Sequence, residues 1–261
     1  MTHDRYLLEE LREFAEWLAK EAGSIALSHA GAEIARERKL DGSIVTIADR
    51  EAEQRLRQLI AHRYPDDAIL GEEFGATPGR SGRRWIVDPI DGTFSYAHGV
   101  PLFGTLIGVE IDGDPAVGVI HMPALGETMS AATTLGASLN GVRARVSSVQ
   151  ALGDALVLCG DFLGAKTQDK ARVTQAIAAQ AGARRGWGDC SAYLLVASGR
   201  AEVALDHVMS IWDCAALLPI VEEAGGRFTD WRGRRTIDGG DAIASNAALH
   251  EQIMKLVDST A

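Results

Sequence analysis

Nine residues, Trp85-Ile86-Val87-Asp88-Pro89-Ile90-Asp91-Gly92-Thr93, constrain this chain more than any other stretch. The apolar run Trp85-Ile86-Val87 predicts a buried strand ending on Asp88, where Pro and Gly begin to bend the backbone. Pro89 has no N–H and a fixed φ, so it is expected to hold Asp88 extended and to stop strand pairing there. Gly92 admits whatever geometry the turn requires. Asp88 and Asp91 then stand as two carboxylates on a stiffened loop, with the Thr93 hydroxyl beside them. Anions held so close repel unless one takes a proton or a cation lies between them. A hard divalent cation with an oxygen shell, Mg²⁺ above all, suits such a place. Taken alone, the segment is equally an ordinary turn built on Asp-Pro and Asp-Gly. Its company shifts the balance. Glu72-Glu73 follows the apolar Ala68-Ile69-Leu70 at another expected strand end, and Asp213 stands at the opening of an expected helix.

Periodicity changes from one half of the chain to the other. Residues 4–29 carry Leu7, Leu11, Phe14, Leu18 and Ala22 at helical spacing, and a second helix is expected over 48–63, ended by Pro65. A short strand over 33–38 and a turn over 39–43 come between them, and 77–82 reads as a flexible loop. Strands are expected over 105–111, 116–121 and 127–131, with hairpin turns at Asp112-Gly113-Asp114 and Asn140-Gly141. Helices on a mostly antiparallel sheet therefore make an α+β half over 1–146, which carries the metal and phosphate site. After 147, strands (155–158, 201–206, 227–231, 242–244) alternate with helices (168–181, 192–198, 211–224, 246–257). Gly225-Gly226 closes the third of these helices. This is an α/β half, 147–261, supplying Asp213 and the substrate pocket.

Bulk properties exclude several classes. A net charge of −10 is unsuited to wrapping nucleic acid. The longest apolar stretch, 100–109, is broken by Gly and far short of the ~20 residues that span a bilayer. Three cysteines with no Cys-x-x-Cys pair, and a polar start with no signal peptide, lead to the expectation of a cytoplasmic enzyme with neither membrane nor nucleic-acid partners.

Glu72, Asp88, Asp91 and Asp213 all fall at strand ends or a helix start, where side chains converge on a rim. Together they can hold two or three Mg²⁺ ions with water and phosphate oxygens completing the shells. The N–H groups of Gly92 and Thr93, opening a helix, would face a phosphate. Thr93 could orient the attacking water while Asp49 takes its proton through the hydroxyl; from pattern alone, Asp49 reads instead as charge compensation at a helix N-terminus. The chemistry implied is metal-assisted, in-line hydrolysis of a small phosphate monoester without a covalent intermediate. Rival schemes lack their residues. The Asp-x-Asp-x-Thr of haloacid-dehalogenase phosphatases has the wrong spacing, and no Gly-x-Ser-x-Gly elbow or P-loop is present. His98 and His207 read as loop or surface residues rather than ligands.

Glu72-Glu73, Asp88-Pro89-Ile90-Asp91-Gly92-Thr93 and Trp212-Asp213-Cys214-Ala215, preceded by Val45-Thr46-Ile47-Ala48-Asp49, resemble in order and spacing the inositol monophosphatase superfamily of Mg²⁺-dependent phosphatases. The resemblance spans nearly the whole chain and implies a layered α-β-α-β-α sandwich and a homodimer. It also implies roles. Glu72, Asp88 and the Ile90 carbonyl would bind one metal, and Asp88, Asp91 and Asp213 a second, with Glu72 helping to hold a third. Thr93 and Glu72 would position the water, with Asp49 behind Thr93. Asp91, Gly92 and Thr93 would meet the substrate phosphate.

One departure is informative. Where inositol phosphatases continue with Gly after Trp-Asp-x-Ala, this chain has Ala216-Leu217-Leu218. With Gly188-Asp189-Cys190 and 231–236, that is more similar to the histidinol-phosphate phosphatase branch. Asp206, six residues before Trp212, and Asp189 would place two acids beside the leaving alcohol, suiting an amine and an imidazolium better than a ring of hydroxyls. Asp189 also fits a helix N-cap, and Asp206 a strand-end turn. Arg184, Arg185 and Trp187 suit a solvated or core-edge role. The expected substrate is histidinol phosphate. Inositol 1-phosphate or a range of sugar phosphates is the alternative, and a non-catalytic metal or phosphate sensor is opposed by the filled ligand positions.

Overall fold

Two large sheets, separated and flanked by helices, stack in five layers. The computed structural model describes residues 4–31, 36–39, 42, 44–162 and 167–260. The outer layer pairs the helices Arg5–His29 and Ile47–Arg63. Their apolar stripes (Leu8, Leu11, Ala15, Leu18; Ala52, Leu56, Ile60) bury against Trp85, Val87, Ile107, Val109 and Val117 of the first sheet. That sheet has eight strands in the order Val142–Arg143, Gly136–Leu139, Glu127–Ala132, Asp114–Met122, Gly104–Ile111, Arg83–Asp91, Ala68–Gly71, Gly75–Thr77. Only the Ala68–Gly71 and Arg83–Asp91 pair is parallel. The two turns marked in the sequence close hairpins through positive φ at Asp112 and Gly113 and at Asn140 and Gly141.

The middle layer holds the helices Asp189–Ala197, Ile211–Cys214 and Leu217–Glu223. It packs the far face of the first sheet against a five-stranded sheet ordered Ala183–Arg185, Leu156–Cys159, Val203–Asp206, Ala242–Asn246, Gly226–Thr229. The first three of these strands run parallel, and Ala242–Asn246 is antiparallel to both its neighbours. The helices Gln168–Gln180 and Ala247–Thr260 cover the outside. The layering matches the α-β-α-β-α expectation. The largest apolar cluster runs from Ile86 and Leu106 through Tyr193, Leu217 and Leu218 to Phe228 and Ala244, so the middle helices join both sheets in one core.

Several expectations on elements change. Residues 33–35 of the expected 33–38 strand, and 40, 41 and 43 of the expected turn, lie outside the described residues; Arg36–Arg38 pairs with Ile44–Thr46. Residues 75–77, partly read as loop, form an edge strand, as does Ala183–Arg185. The single helix expected over 211–224 is two, Ile211–Cys214 and Leu217–Glu223. Pro219 is the reason: it has no N–H to offer the carbonyl of Ala215.

Candidate active site

Pro89 does not end its strand. Arg83–Asp91 continues through it, and the pairing shifts register instead: Asp88 lies opposite Leu106 and Asp91 opposite Gly104, so Pro89 and Ile90 together face Thr105 alone. A bulge of this kind tolerates a residue without an N–H. Thr105 Oγ1 donates to the Pro89 carbonyl at 2.8 Å and fixes it. In a regular strand, residues three apart point to opposite faces. The extra residue cancels that alternation and brings Asp88 and Asp91 to one side.

Gly92 follows at φ 80° and caps the short helix Thr93–Ala97. A Cβ there would lie 2.9 Å from the Leu102 carbonyl and 3.1 Å from Asp189 Oδ2, so the position admits only Gly. Asp213 arrives from across the core. The segment that carries it rests on the paired glycines Gly108 and Gly118, where a Cβ would come within 2.7 Å and 2.1 Å of the backbone of Ala215 and Ala216. Its Oδ2 accepts from Ser210 N at 2.7 Å in a capping box, which sets the rotamer.

Among the described residues, carboxylate oxygens of Asp88, Asp91 and Asp213 lie within 4.8 Å of one another. Glu72 stands apart from this trio, its Oε1 2.7 Å from Lys39 Nζ, which also reaches Glu73 at 2.5 Å. Its charge nevertheless acts on both Asp88 and Asp213. Asp49 is placed both at the helix N-terminus and beside Thr93. Its Oδ2 accepts from Thr46 N at 2.8 Å and Thr46 Oγ1 at 2.6 Å in a capping box, while Oδ1 lies 3.4 Å from Thr93 Oγ1. The Thr93 hydroxyl has a nearer acceptor in the Ile90 carbonyl, at 2.8 Å.

Asp189 is not a cap. It is the first residue of its helix, at φ 52°, and Gly188 holds the N-cap position. A non-glycine residue in the left-handed region is strained unless its surroundings hold it. With Asp206 it lines a cavity completed by Asp91, Cys190, Met209 and Asp213. Arg184, Arg185 and Trp187 are exposed. His98 is exposed too, but His207, read as loop or surface, is buried; its Nε2 lies 2.8 Å from Thr174 Oγ1 and its ring packs on Trp231.

Burial governs the electrostatics. It pushes Asp88 and Asp91 well above the usual carboxylate range, and the neighbouring acids push in the same direction. Asp213 and Asp206 are each carried up to about 7 by burial, against the hydrogen bonds from Ser210 N and the Tyr193 hydroxyl. Buried Asp49 is raised as well, and desolvation moves the carboxyl of Asp189 in the same direction although the residue is exposed. Asp91 gains compensation from the Cys190 thiol and from Cys190 N, which donates to its Oδ2 at 2.5 Å. Burial alone would lower Lys39, but its hydrogen bonds to Glu72 and Glu73 carry it up. Crowded anions with an all-oxygen donor set fit a hard divalent cation, which would hold them ionised.

Over residues 7–260 the sequence matches the inositol monophosphatase family. The chain belongs to that family. It is 44% identical over 242 residues to the histidinol-phosphatase of Chlorobaculum parvum, covering 92% of this chain and 93% of that one. To the histidinol-phosphatase of Mycobacterium tuberculosis it is 37% identical, covering 97% and 98%. The structure of an inositol monophosphatase from Zymomonas mobilis superposes with a TM-score of 0.86 at 31% identity, covering 98% of this chain and all of the other. Family membership makes the chain a metal-dependent phosphatase of small phosphate esters, and the trio Asp88, Asp91 and Asp213 is where its residues could hold the metal.

Three contributors escaped the sequence. By sequence Lys39 is only part of a turn. Glu53, one helical turn after Asp49, is fully buried and accepts from Glu73 N at 2.7 Å and Phe74 N at 3.1 Å, clamping the strand end that presents Glu72. Its spacing from Asp49 was the available signal: a charged residue on the buried face of a helix needs a reason. Tyr193 is the third.

Proposed function

We propose that the protein is a Mg²⁺-dependent histidinol-phosphatase, releasing histidinol and phosphate by direct attack of water. The observation that carries this reading is the pair of acids, Asp189 and the half-buried Asp206, lining the same cavity as Asp91 and Asp213. Acids beyond those needed for metal repel a phosphate but attract a cationic alcohol, so they belong on the leaving-group side. The likeness to histidinol-phosphatases supports the same choice.

In this reading Glu72, Asp88, Asp91, Asp213 and the Ile90 carbonyl would hold two or three Mg²⁺ ions. Bound there, Mg²⁺ offsets the charge of the phosphoryl oxygens and makes water a better nucleophile at neutral pH. The remaining work is done by the chain. Thr93 Oγ1 accepts a hydrogen from the water and turns its own from the Ile90 carbonyl to Asp49 Oδ1, 3.4 Å away. Burial, by raising Asp49, makes it the better proton acceptor. Glu72 steadies the water from the other side. The N–H groups of Gly92 and Thr93 face the phosphate, while Asp189 and Asp206 hold the amino alcohol. We take the enzyme also to be cytoplasmic and homodimeric; the free, buried cysteines and the family resemblance support these two points.

Phosphate release should be measured against histidinol phosphate, inositol 1-phosphate, fructose 1,6-bisphosphate and adenosine 3′,5′-bisphosphate over a range of Mg²⁺. Histidinol phosphate should give the highest kcat/KM. A higher value for inositol 1-phosphate would overturn the choice of substrate but not the chemistry. Mg²⁺-dependent turnover of none of them would make the chain a non-catalytic relative.

A further inference from the structure

Tyr193 lies in the Asp189–Ala197 helix and is fully buried. A phenol shut off from water needs a partner for its hydroxyl. Here the hydroxyl donates to Asp206 Oδ2 at 2.8 Å, with Met209 Sδ next to it at 3.3 Å. Asp206 and Met209 line the cavity, and Tyr193 stands behind them. The backbone of Asp206 is fixed by other means. It pairs with Ala242 in the sheet, and its carbonyl accepts from Trp231 Nε1 at 2.8 Å. What remains free is the side-chain torsion, and the Tyr193 hydroxyl sets it. The Tyr193 ring is itself braced by Phe228, 6.0 Å away between centroids.

Resting on the reading that Asp206 faces the leaving alcohol, we propose that Tyr193 is a positioning residue for substrate selection, occupying Asp206 Oδ2 so that Oδ1 is presented to a cationic group on the alcohol. A carboxylate pinned at one oxygen meets a cation without first losing rotamer freedom. A neutral polyol gains little from a charge so fixed. Selectivity, more than rate, should therefore depend on the hydroxyl.

The test is a double-mutant cycle of Tyr193→Phe and Asp206→Ala, with kcat and KM for histidinol phosphate and inositol 1-phosphate at saturating Mg²⁺. Tyr193→Phe keeps the ring and its packing on Phe228. It should lower the preference for histidinol phosphate by about tenfold, chiefly through KM, the loss expected for one hydrogen bond to a charged group. Asp206→Ala should lower the preference at least as far, and Tyr193→Phe should then add nothing. Additive losses would overturn the assignment of Tyr193 while leaving Asp206 as the selecting acid. Equal loss on both substrates in Asp206→Ala would instead remove the reading of Asp206 on which the proposal stands. A Tyr193→Phe chain that fails to fold, or that loses both substrates equally, would make the hydroxyl structural and overturn the proposal.

Discussion

Replacing Asp213 by Asn relieves the charge crowding at the centre of the site, and the consequence can be worked from the structure. Burial carries the Asp213 carboxyl from 3.8 to about 7. At about 1.4 kcal/mol per pH unit, ionising it in the folded chain forfeits about 4 kcal/mol of stability. The folded value is the raised one, so this loss is absent below the unfolded value, grows as pH climbs and is complete above about 7. Asn is close in shape to the protonated acid and can keep the 2.7 Å bond from Ser210 N. Burying its amide costs part of the gain, leaving about 2–4 kcal/mol. For a domain of this size that is roughly 5–12 °C in Tm. Chelated wild type and Asp213→Asn should therefore melt close together near pH 4.5 and separate by pH 8, with the variant the more stable. Added Mg²⁺ should raise the wild-type Tm by mass action and close the gap, while the variant responds weakly and loses orders of magnitude in kcat. Calorimetry or thermal shift over pH 4.5–8, with and without Mg²⁺, reads all of this. An equal Tm change at both ends of the pH range, or a variant less stable at pH 8, would refute the claim that the carboxylate is held against its own burial.

Three other outcomes follow from named contacts. Gly118→Ala sets a Cβ 2.1 Å from the Ala216 carbonyl, so it should cost about 1–3 kcal/mol in urea denaturation and weaken Mg²⁺ binding through Asp213; wild-type behaviour in both would mean the helix does not depend on that contact. Glu53→Gln leaves Arg57, 2.8 Å from Glu53 Oε1, without its anion and loosens the turn behind Glu72. The Mg²⁺ concentration for half-activity should rise by more than kcat falls, and the reverse pattern would tell against Glu53 acting through Glu72. Thr93→Ala should reduce kcat by about 10²–10⁴ while Thr93→Ser retains most of it; equal losses would show that the hydroxyl is not the active group.

How much of this was legible in advance depends on the kind of signal each part carries. The amphipathic outer helices, the two hairpins and the layered fold follow from local rules. Leu8, Leu11 and Leu18 repeat at helical spacing, and Asp112-Gly113 and Asn140-Gly141 supply the positive φ that short hairpins need. The acids of the candidate site were legible only as a set: Asp88 and Asp91 alone fit an ordinary turn, and Glu72 and Asp213 at other element ends shift the balance. Tertiary structure decided what spacing could not. Whether Pro89 ends a strand or sits in a bulge depends on the partner strand, and with it whether Asp88 and Asp91 share a side. Asp189 looked like a helix cap until Gly188 took that position, and His207 looked exposed until Thr174 and Trp231 closed over it. Lys39, Glu53 and Tyr193 make hydrogen bonds to residues 13 to 34 positions away. Sequence alone determined which side chains this protein has that could hold a metal or move a proton, since residue type and local backbone preference are written in the chain. Which of them meet, and which neighbour holds each one still, is a property of packing between segments far apart in that chain, and only the folded structure contains it.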